Sequence, residues 1–385
     1  MFPLLRAIIY SILCFLPMML EALTLGAERA EEYLPALKGK RVALIVNQTS
    51  RVADQHLVDF LLGKGVDIKK VFAPEHGFRG NYDAGAQISD TKDVKTGLPI
   101  ISLYGSNKKP TFEQLNDIDI IIFDIQDVGL RFYTYISTMH LAMEAAAEAN
   151  KAFWVFDRPN PNIAYVDGPV LEKPFQSFVG MHPIPVLHGM TVAELAVMIT
   201  GEGWLNTSNS LSLRIFPMLN YHGKVNYTLP IPPSPNLPNQ QSIYLYPSLC
   251  FFEATPVSVG RGTEFPFQVF GYANPKLGGF QFTPRPVSGA ASNPKLNGVT
   301  VYGQDLRSST LRGFDLSWFV SAYAQFNRNN KTFFQSPNFM DKLAGTDKIR
   351  KAIESGKSAA ELRKIWAADV QLFIEQRQPY LLYPR

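Results

Sequence analysis

The sequence has very little cysteine. Its 385 residues include two, Cys14 and Cys250, and Cys14 falls within the apolar stretch that opens the chain. If that stretch is removed, Cys250 stands alone and an intramolecular disulfide is excluded. Because Leu249 and Phe251 flank Cys250, a buried thiol is favoured over a reactive thiolate, and cysteine chemistry is not expected.

Several motifs that identify common classes of protein are also missing. There is no Gly-x-Gly-x-x-Gly, no phosphate-binding Gly-x-x-x-x-Gly-Lys-Ser/Thr and no Gly-x-Ser-x-Gly nucleophile elbow. His-Glu-x-x-His, His-x-His and cysteine pairs are absent too, so we predict neither a bound metal nor another cofactor. The net charge of +4 is dispersed without a Lys/Arg run, and nucleic acid is therefore not an expected partner.

The N-terminus has the pattern of a secretory signal peptide. After Arg6, residues 7–20 are apolar, and a small-residue sequence ending at Ala27 precedes charged residues. This apolar stretch is shorter than the roughly 20 residues that span a membrane. We therefore expect residues 1–27 to be removed, so that the mature chain starts near Ala27 or Glu28 without a membrane span and lies in the periplasm or outside the cell.

The length and the spacing of apolar segments predict two domains. Short apolar segments alternate with helical patterns in the first part, which is typical of a parallel, doubly wound α/β sheet. The predicted strands cover residues 42–46, 68–73, 100–104, 118–124 and 153–157, and the predicted helices cover residues 55–64, 136–150 and 191–200. Pro-rich and Gly-rich segments dominate later, so we place the domains at 28–210 and 211–385. Apolar residues at helical spacing predict a packing helix over 359–376.

Polar side chains follow four of the predicted strands. They occur in residues 47–49, 74–77, 124–127 and 157–160. Because the carboxyl ends of parallel strands meet at one edge of a sheet, we expect all four clusters to line one cleft. Carboxylate, amide and aromatic side chains suit sugars, and a pair of carboxyl groups can hydrolyse a glycosidic bond.

Glu75 is the leading candidate for a general acid. It follows an apolar strand and a proline, which places its carboxyl group at the edge of the cleft. An ion pair with Arg79 is the structural alternative. Asp124, Asp127 and Glu253 are candidates for the second catalytic group, although cleavage assisted by the sugar's own acetamido group would not need one.

Six stretches of the sequence resemble a known family. They read PEHGFRG at 74–80, DIQDVGLRFYTY at 124–135, DRPNP at 157–161, HGMT at 188–191, PSPNLP at 233–238 and GRGT at 260–263. On these stretches the chain resembles the peptidoglycan exo-β-N-acetylmuramidases, a former uncharacterised domain family, over nearly all of its mature length. It departs from the family at residues 229–232, Leu-Pro-Ile-Pro, where a tryptophan is expected.

The resemblance implies both a fold and an activity. The fold is a Rossmann-like N-terminal domain followed by a smaller α/β (α+β) C-terminal domain that closes the cleft. The activity is release of N-acetylmuramic acid from the non-reducing end of peptidoglycan fragments. Muramic acid carries a lactyl carboxylate, for which a guanidinium group is a natural partner, so Arg131, Arg158 and Arg261 are each candidates to bind it or to hold loops in place.

We predict two sets of site residues, one catalytic and one that binds the substrate. The predicted catalytic residues are Glu75, His76, Asp124 and Asp127. The predicted substrate-binding residues are Asn47, Arg79, Gln126, Arg131, Tyr133, Tyr135, Arg158, Asn160, His188, Ser234, Asn236, Glu253 and Arg261. Two alternative functions stay open at this point: a secreted sugar- or peptidoglycan-binding protein without catalysis, and a metal-dependent hydrolase.

Overall fold

The computed structural model describes residues 22–75, 77–78, 91–223 and 227–385. Strands and helices alternate through the first part of the chain, and helices dominate its end. The strands are β1 Arg41–Val46, β2 Arg51–Val52, β3 Gln55–His56, β4 Asp67–Ala73, β5 Thr91–Lys92, β6 Pro99–Ser102, β7 Ile120–Asp124, β8 Ala152–Phe156, β9 Ser212–Phe216, β10 Val269–Tyr272, β11 Phe280–Phe282 and β12 Val301–Asp305. The α-helices are α1 Ala30–Leu37, α2 Leu57–Gly63, α3 Phe112–Leu115, α4 Tyr135–Glu148, α5 Val192–Gly201, α6 Gln240–Leu249, α7 Ser317–Arg328, α8 Pro337–Ala344, α9 Lys348–Glu354 and α10 Ala359–Gln376.

The large sheet contains seven of the described strands, in the order β5-β6-β4-β1-β7-β8-β9. Neighbouring strands from β6 to β9 are parallel, whereas β5 pairs with β6 in the antiparallel orientation. The predicted α/β architecture is confirmed, with the correction that the sheet is mixed. Its antiparallel strand lies at an edge, where such strands commonly join parallel sheets.

Both faces of the central strands are covered. In β1, Ala43 and Ile45 belong to one apolar cluster, together with residues of α4 and α5. Val42, Leu44 and Val46 belong to a second cluster, together with residues of α1 and α2. Successive side chains of a strand point to opposite faces, so a continuous apolar run fits a strand that is buried on both sides.

The strands and helices predicted for this sheet are present, and their ends differ by at most two residues from the prediction. The predicted end of the first domain at residue 210 is too early for the sheet, because β9 lies beyond it and pairs with β8. β9 was missed for a physical reason. Its side chains alternate between exposed and more buried, as in an edge strand, and it lacks the continuous apolar run of the central strands.

The C-terminal part combines a small antiparallel sheet, β10-β12-β11, with helices α6 to α10. The predicted helix over residues 359–376 is confirmed as α10, which begins with a capping box between Ser358 and Glu361. Its buried apolar side chains are Leu362, Trp366, Val370 and Phe373. Ile365 and Leu372, which the same apolar pattern included, are exposed and do not pack.

The N-terminal segment is part of the fold from Thr24 onwards. Thr24 exchanges two backbone hydrogen bonds with Leu219. A Cβ atom on Gly26 would lie 2.3 Å from the carbonyl oxygen of Phe216, and Ala27 is fully buried. A mature chain that began near Ala27 would lose these contacts.

The apolar core of the predicted signal peptide lies in residues 1–21, outside the described residues. Within the part of the chain that the structure describes, no helix is both long and apolar enough to cross a membrane.

Candidate active site

The parallel strands bring the predicted polar clusters to one edge of the sheet. β4, β1, β7 and β8 are neighbours, and Val46 at the end of β1 pairs with Asp124 at the end of β7. Asn47, Glu75 and Arg158 follow the ends of the other three strands within two residues. The expected convergence of the clusters is therefore confirmed, as the direction of parallel strands requires.

A small cavity of about 60 Å³ opens beside this edge. Glu75, Thr134 and Tyr135 line it from the first part of the chain, and Asn236 and Arg261 line it from the second part. The other lining residues are Phe132, Tyr133, Ser234, Leu237, Tyr246 and Phe267. The cavity thus lies between the two parts of the chain, where the cleft was expected.

Glu75 is half-buried, and two hydroxyl groups orient its carboxylate. The Thr134 hydroxyl donates to Glu75 Oε2 at 2.7 Å, and the Tyr104 hydroxyl donates to the same carboxylate. The Tyr135 hydroxyl lies 3.4 Å from the backbone oxygen of Glu75. Thr134 immediately precedes α4, so the start of that helix determines where the carboxylate points. His76 and Arg79, its predicted neighbours in the site, lie outside the described residues.

Asp124 and Arg158 form a buried ion pair across the ends of β7 and β8. Arg158 donates from Nε to Asp124 Oδ1 at 2.5 Å and from Nη2 to Oδ2 at 2.8 Å. It also donates to the carbonyl of Arg51 at 3.0 Å. Burial lowers the pKa of the Arg158 guanidinium, but the charge of Asp124 outweighs burial and raises it. The contacts of this pair favour a role in holding the sheet edge together.

Arg131, Gln126 and Asn160 also use their side chains to bind backbone carbonyls. Arg131 is fully buried and donates to the carbonyls of Pro169, Ile184 and Leu343 at 2.6, 2.8 and 2.9 Å. Burial lowers its pKa to about 9. Gln126 donates to the carbonyls of Asp127 and Pro159, and Asn160 donates to that of Met190. These contacts fix loops, and none of the three residues lines the cavity.

Asp127 and His188 are buried side by side with some of their polar atoms unused. Asp127 Oδ2 accepts the backbone N–H of Gly129 at 2.6 Å and lies 3.9 Å from His188 Nε2. Within the described residues, Asp127 Oδ1 and His188 Nε2 have no hydrogen-bond partner. Burial raises the pKa of Asp127 to about 7 and lowers that of His188 to about 3. His188 is therefore neutral at pH 7, and Asp127 is partly protonated.

Arg261 presents its guanidinium to the cavity and holds Glu253 outside it. Nε and Nη2 donate to the two carboxylate oxygens of Glu253 at 3.0 and 3.1 Å. The guanidinium carbon lies 5.1 Å from the centre of the Phe267 ring, a cation–π contact. Burial favours the neutral form of Glu253, but the charges of Arg261 and Lys295 outweigh burial and lower its pKa. Glu253 is thus ionised and is not suited to donate a proton.

The remaining predicted residues have mixed positions. Tyr133 lines the cavity and donates from its hydroxyl to the carbonyl of Pro233 at 2.8 Å, which links the two parts of the chain. Asn236 donates to the carbonyl of Ala290 at 2.7 Å, and Ser234 accepts the Asn236 N–H. Asn47 is buried and accepts the hydroxyl and the N–H of Thr49, so it shapes the turn after β1.

The sequence did not point to Tyr104 or Thr134. Tyr104 follows β6, the strand next to β4, and it is the last residue of the predicted strand 100–104, so its position at a strand end was an available signal. Thr134 stands inside one of the six stretches of the resemblance, but a threonine before a helix is usually explained by capping alone. The aromatic rings of Phe132, Tyr246 and Phe267 were missed because apolar rings are expected in a core.

A larger cavity of about 600 Å³ lies against α4, away from Glu75. His140 and Glu144 line it, but they are bonded to each other at 3.0 Å, and His182 bonds to the other ring nitrogen of His140. Glu144 also binds Lys109. Burial raises the pKa of Glu144, but its hydrogen bonds outweigh burial and lower it to about 2. Because this carboxylate is ionised and saturated, we assign the active site to the smaller cavity.

No three His, Cys, Asp or Glu side chains among the described residues are grouped so that they could hold a metal ion.

Comparison with known proteins identifies the family. The family model described as exo-beta-N-acetylmuramidase NamZ, N-terminal, matches residues 42–241, and the corresponding C-terminal model matches residues 244–383. The chain belongs to the exo-β-N-acetylmuramidase family. The resemblance inferred from the six stretches is therefore confirmed, and the two family models meet between residues 241 and 244, within α6.

A curated relative and two solved structures agree with this family. The chain is 38% identical over 377 residues to the peptidoglycan beta-N-acetylmuramidase NamZ of Bacillus subtilis, covering 91% of this chain and 89% of the relative. Crystal structures of two DUF1343 family proteins from Bacteroides fragilis are also similar. Their TM-scores are 0.85 and 0.80 at 46% and 31% identity, and each match covers 94% of this chain and 99% of the other.

Proposed function

We propose that this protein is an exo-acting glycosidase that releases N-acetylmuramic acid from the non-reducing end of peptidoglycan fragments. Membership of the family and the name of the Bacillus subtilis relative support the activity and the substrate class. The observation that carries the proposal for this chain is the position of Glu75. Its carboxylate is oriented by Thr134 and Tyr104 at the wall of a cavity that both parts of the chain form.

Glu75 acts as the general acid. As the bond between the anomeric carbon and the glycosidic oxygen breaks, Glu75 donates its proton to that oxygen, which leaves as the hydroxyl of the remaining glycan. Water supplies the hydroxyl that the released sugar carries at its anomeric carbon, and the water proton restores Glu75. Thr134 and Tyr104 keep the carboxyl group in place because their hydroxyls donate to it.

The second catalytic group is supplied by the substrate. Glu75 is the one carboxyl group among the described residues that line the cavity. Asp124 is held by Arg158, and Glu253 is held by Arg261. Attack of the sugar's own acetamido oxygen on the anomeric carbon needs no protein nucleophile and is consistent with this lining.

We also propose that the protein is secreted. The apolar stretch of residues 7–20 after Arg6 has the pattern of a signal peptide, and peptidoglycan lies outside the cytoplasmic membrane. The contacts of Thr24 and Gly26 support cleavage before Thr24. Mass spectrometry of the N-terminal peptide from the exported protein tests this. A mature chain that starts at Ala27 or later would contradict this cleavage site.

Turnover of a chromogenic β-N-acetylmuramide by the purified mature chain tests the activity. The matching N-acetylglucosaminide serves as the comparison substrate. We expect hydrolysis of the muramide and release of one sugar at a time from the non-reducing end of glycan fragments. Binding of the muramide without hydrolysis would instead indicate a sugar-binding protein.

A further inference from the structure

Of the three arginines that could bind a lactyl carboxylate, two lie outside the cavity beside Glu75. The guanidinium of Arg131 is buried and bonded to three carbonyls, and that of Arg158 is bonded to Asp124 and to a carbonyl. Within the described residues, Arg131 Nε is buried without a hydrogen-bond partner. Arg158 Nη1 also has no hydrogen bond there, but Arg158 lines a separate cavity of about 440 Å³.

Arg261 differs in its position. It lines the same cavity as Glu75, and its bonds to Glu253 use Nε and Nη2. No hydrogen bond within the described residues uses Nη1. The pair with Glu253 and the Phe267 ring hold the guanidinium plane, so this donor is fixed before any ligand arrives.

The local charge favours an anion. The Lys295 ammonium donates to the carbonyls of Phe252, Glu253 and Thr255 at 3.1, 2.8 and 2.7 Å, which holds it beside the ion pair. Glu253 is ionised, and it neutralises one of these two cations. The group formed by Arg261, Lys295 and Glu253 therefore keeps one positive charge, and Glu75 on the same cavity adds no negative charge while it carries the proton that the proposed acid donates.

The size and the lining of the cavity restrict what can enter it. The cavity is small, about 60 Å³. The rings of Phe132, Tyr246 and Phe267 supply apolar walls, and Arg261 supplies a cation. A methyl group beside a carboxylate, as in a lactyl ether, matches this combination better than the neutral acetamido group.

We propose that the cavity is a specificity site for the lactyl ether of muramic acid, in which Arg261 Nη1 donates to the lactyl carboxylate while Glu75 faces the glycosidic oxygen. This assignment rests on the proposed muramidase activity. It makes Arg261 the residue that discriminates between muramide and glucosaminide substrates. It makes Glu253 a positioning residue that holds the guanidinium through Nε and Nη2.

Kinetics of Arg261 variants test the assignment. A charge-assisted hydrogen bond is worth about 10- to 150-fold in affinity, so Arg261→Gln should lower the muramide-to-glucosaminide ratio of kcat/KM by that factor. Arg261→Lys keeps the charge without the planar fork and should recover part of the ratio. The control is Arg307→Gln in the same part of the chain, since Arg307 is paired with Asp305 and does not line the cavity. A wild-type ratio in folded Arg261→Gln would overturn the assignment.

Binding to a Glu75→Gln background separates this inference from the proposed activity. Calorimetry should show that N-acetylmuramic acid binds more tightly than N-acetylglucosamine, and that adding Arg261→Gln removes the difference. This result would support the site even if the wild-type chain did not hydrolyse muramides. Equal affinity for the two sugars in Glu75→Gln, or a preference that survives Arg261→Gln, would refute the site whatever the hydrolytic activity.

A Glu253→Gln variant checks the geometry around Arg261. Glutamine keeps an oxygen that can accept from the guanidinium but removes the negative charge near the incoming carboxylate. The preference for N-acetylmuramic acid should stay at least as strong as in the wild type. A loss of preference in folded Glu253→Gln as large as that in Arg261→Gln would show that Glu253 supplies more than position and would contradict this assignment of roles.

Discussion

Two carboxylate–arginine pairs, Asp124–Arg158 and Glu253–Arg261, have the same two-point geometry but different surroundings. The first pair is buried between strand ends, and Arg158 has a further carbonyl partner. The second pair is half-buried, and Arg261 faces a cavity. A strand-end position and an ion pair are therefore not enough to identify a functional arginine. What distinguishes Arg261 is its position on the same cavity as Glu75.

The same difference separates Glu75 from Asp124. Both follow apolar strands at one edge of the sheet, and both lie in stretches that resemble the family. Asp124 is fully buried and is neutralised by Arg158, whereas Glu75 is half-buried and opens to the cavity. We expect substitutions at the first to change mainly stability and substitutions at the second to change mainly turnover.

The largest effect is expected for Asp124→Asn, which leaves the Arg158 charge buried without its counterion. Removing one partner of a buried ion pair costs about 3–5 kcal/mol in the free energy of unfolding. Urea unfolding followed by circular dichroism measures the loss. The folded fraction should keep kcat/KM for the muramide near the wild-type value. A stable but inactive Asp124→Asn variant would contradict the assignment of Asp124 to stability and of Glu75 to turnover.

Glu75→Gln should cause the opposite change. Removing the proton donor without altering the shape should lower kcat about 100-fold or more, with little change in melting temperature. Glu113→Gln, an exposed carboxyl on α3, is the matched control and should behave like the wild type. Near-normal turnover in Glu75→Gln would show that another group donates the proton.

Asp127→Asn sharpens the comparison through the pH dependence of stability. Because burial raises the Asp127 pKa from 3.8 to about 7, the folded state holds a proton that the unfolded state releases above pH 4. Asp127 therefore stabilises the fold below pH 4 and loses this contribution as the pH rises to 7. The melting temperature of the variant relative to the wild type should rise between pH 4 and pH 7.

If the melting temperature of Asp127→Asn relative to the wild type fell between pH 4 and pH 7, Asp127 would be ionised and stabilising in the folded protein. The comparison with the variant is needed because His188 contributes in the other direction. Its lowered pKa, about 3, makes stability rise with pH between about 3 and 6.5. A drop of about 100-fold in kcat for Asp127→Asn would make it the second catalytic carboxyl group.

The smallest effect is expected for EDTA. No group of three potential ligands occurs among the described residues, and the proposed chemistry uses Glu75 and the substrate. Turnover of the muramide should be the same before and after dialysis against the chelator. Inactivation that Zn²⁺, Ca²⁺ or Mg²⁺ reverses would contradict the proposed mechanism and would favour a metal-dependent hydrolase.

The sheet was predictable because its signals are local. The apolar runs of β1 and β7 predict strands covered on both faces, and the polar residues after them must then share one edge. β5 and β9 carry no such run and were not predicted. Because β9 was missed, the predicted first domain ends before the last strand of the sheet. Nothing near Gly26 in the sequence reveals its contact with Phe216, so contacts that favour an earlier cleavage site could not be foreseen.

The sequence by itself determined where the central strands lie in the chain, the edge of the sheet where the polar groups lie and the family. These depend on side-chain periodicity and on short stretches of consecutive residues. The tertiary structure decided which polar groups are paired with distant residues and which lie beside Glu75. Arg158 is paired with a carboxylate 34 residues away and Arg131 with a carbonyl 212 residues away, while Arg261 keeps a donor beside Glu75. The availability of a charged group depends on such distant partners and on burial, and neither can be read from its neighbours in the chain.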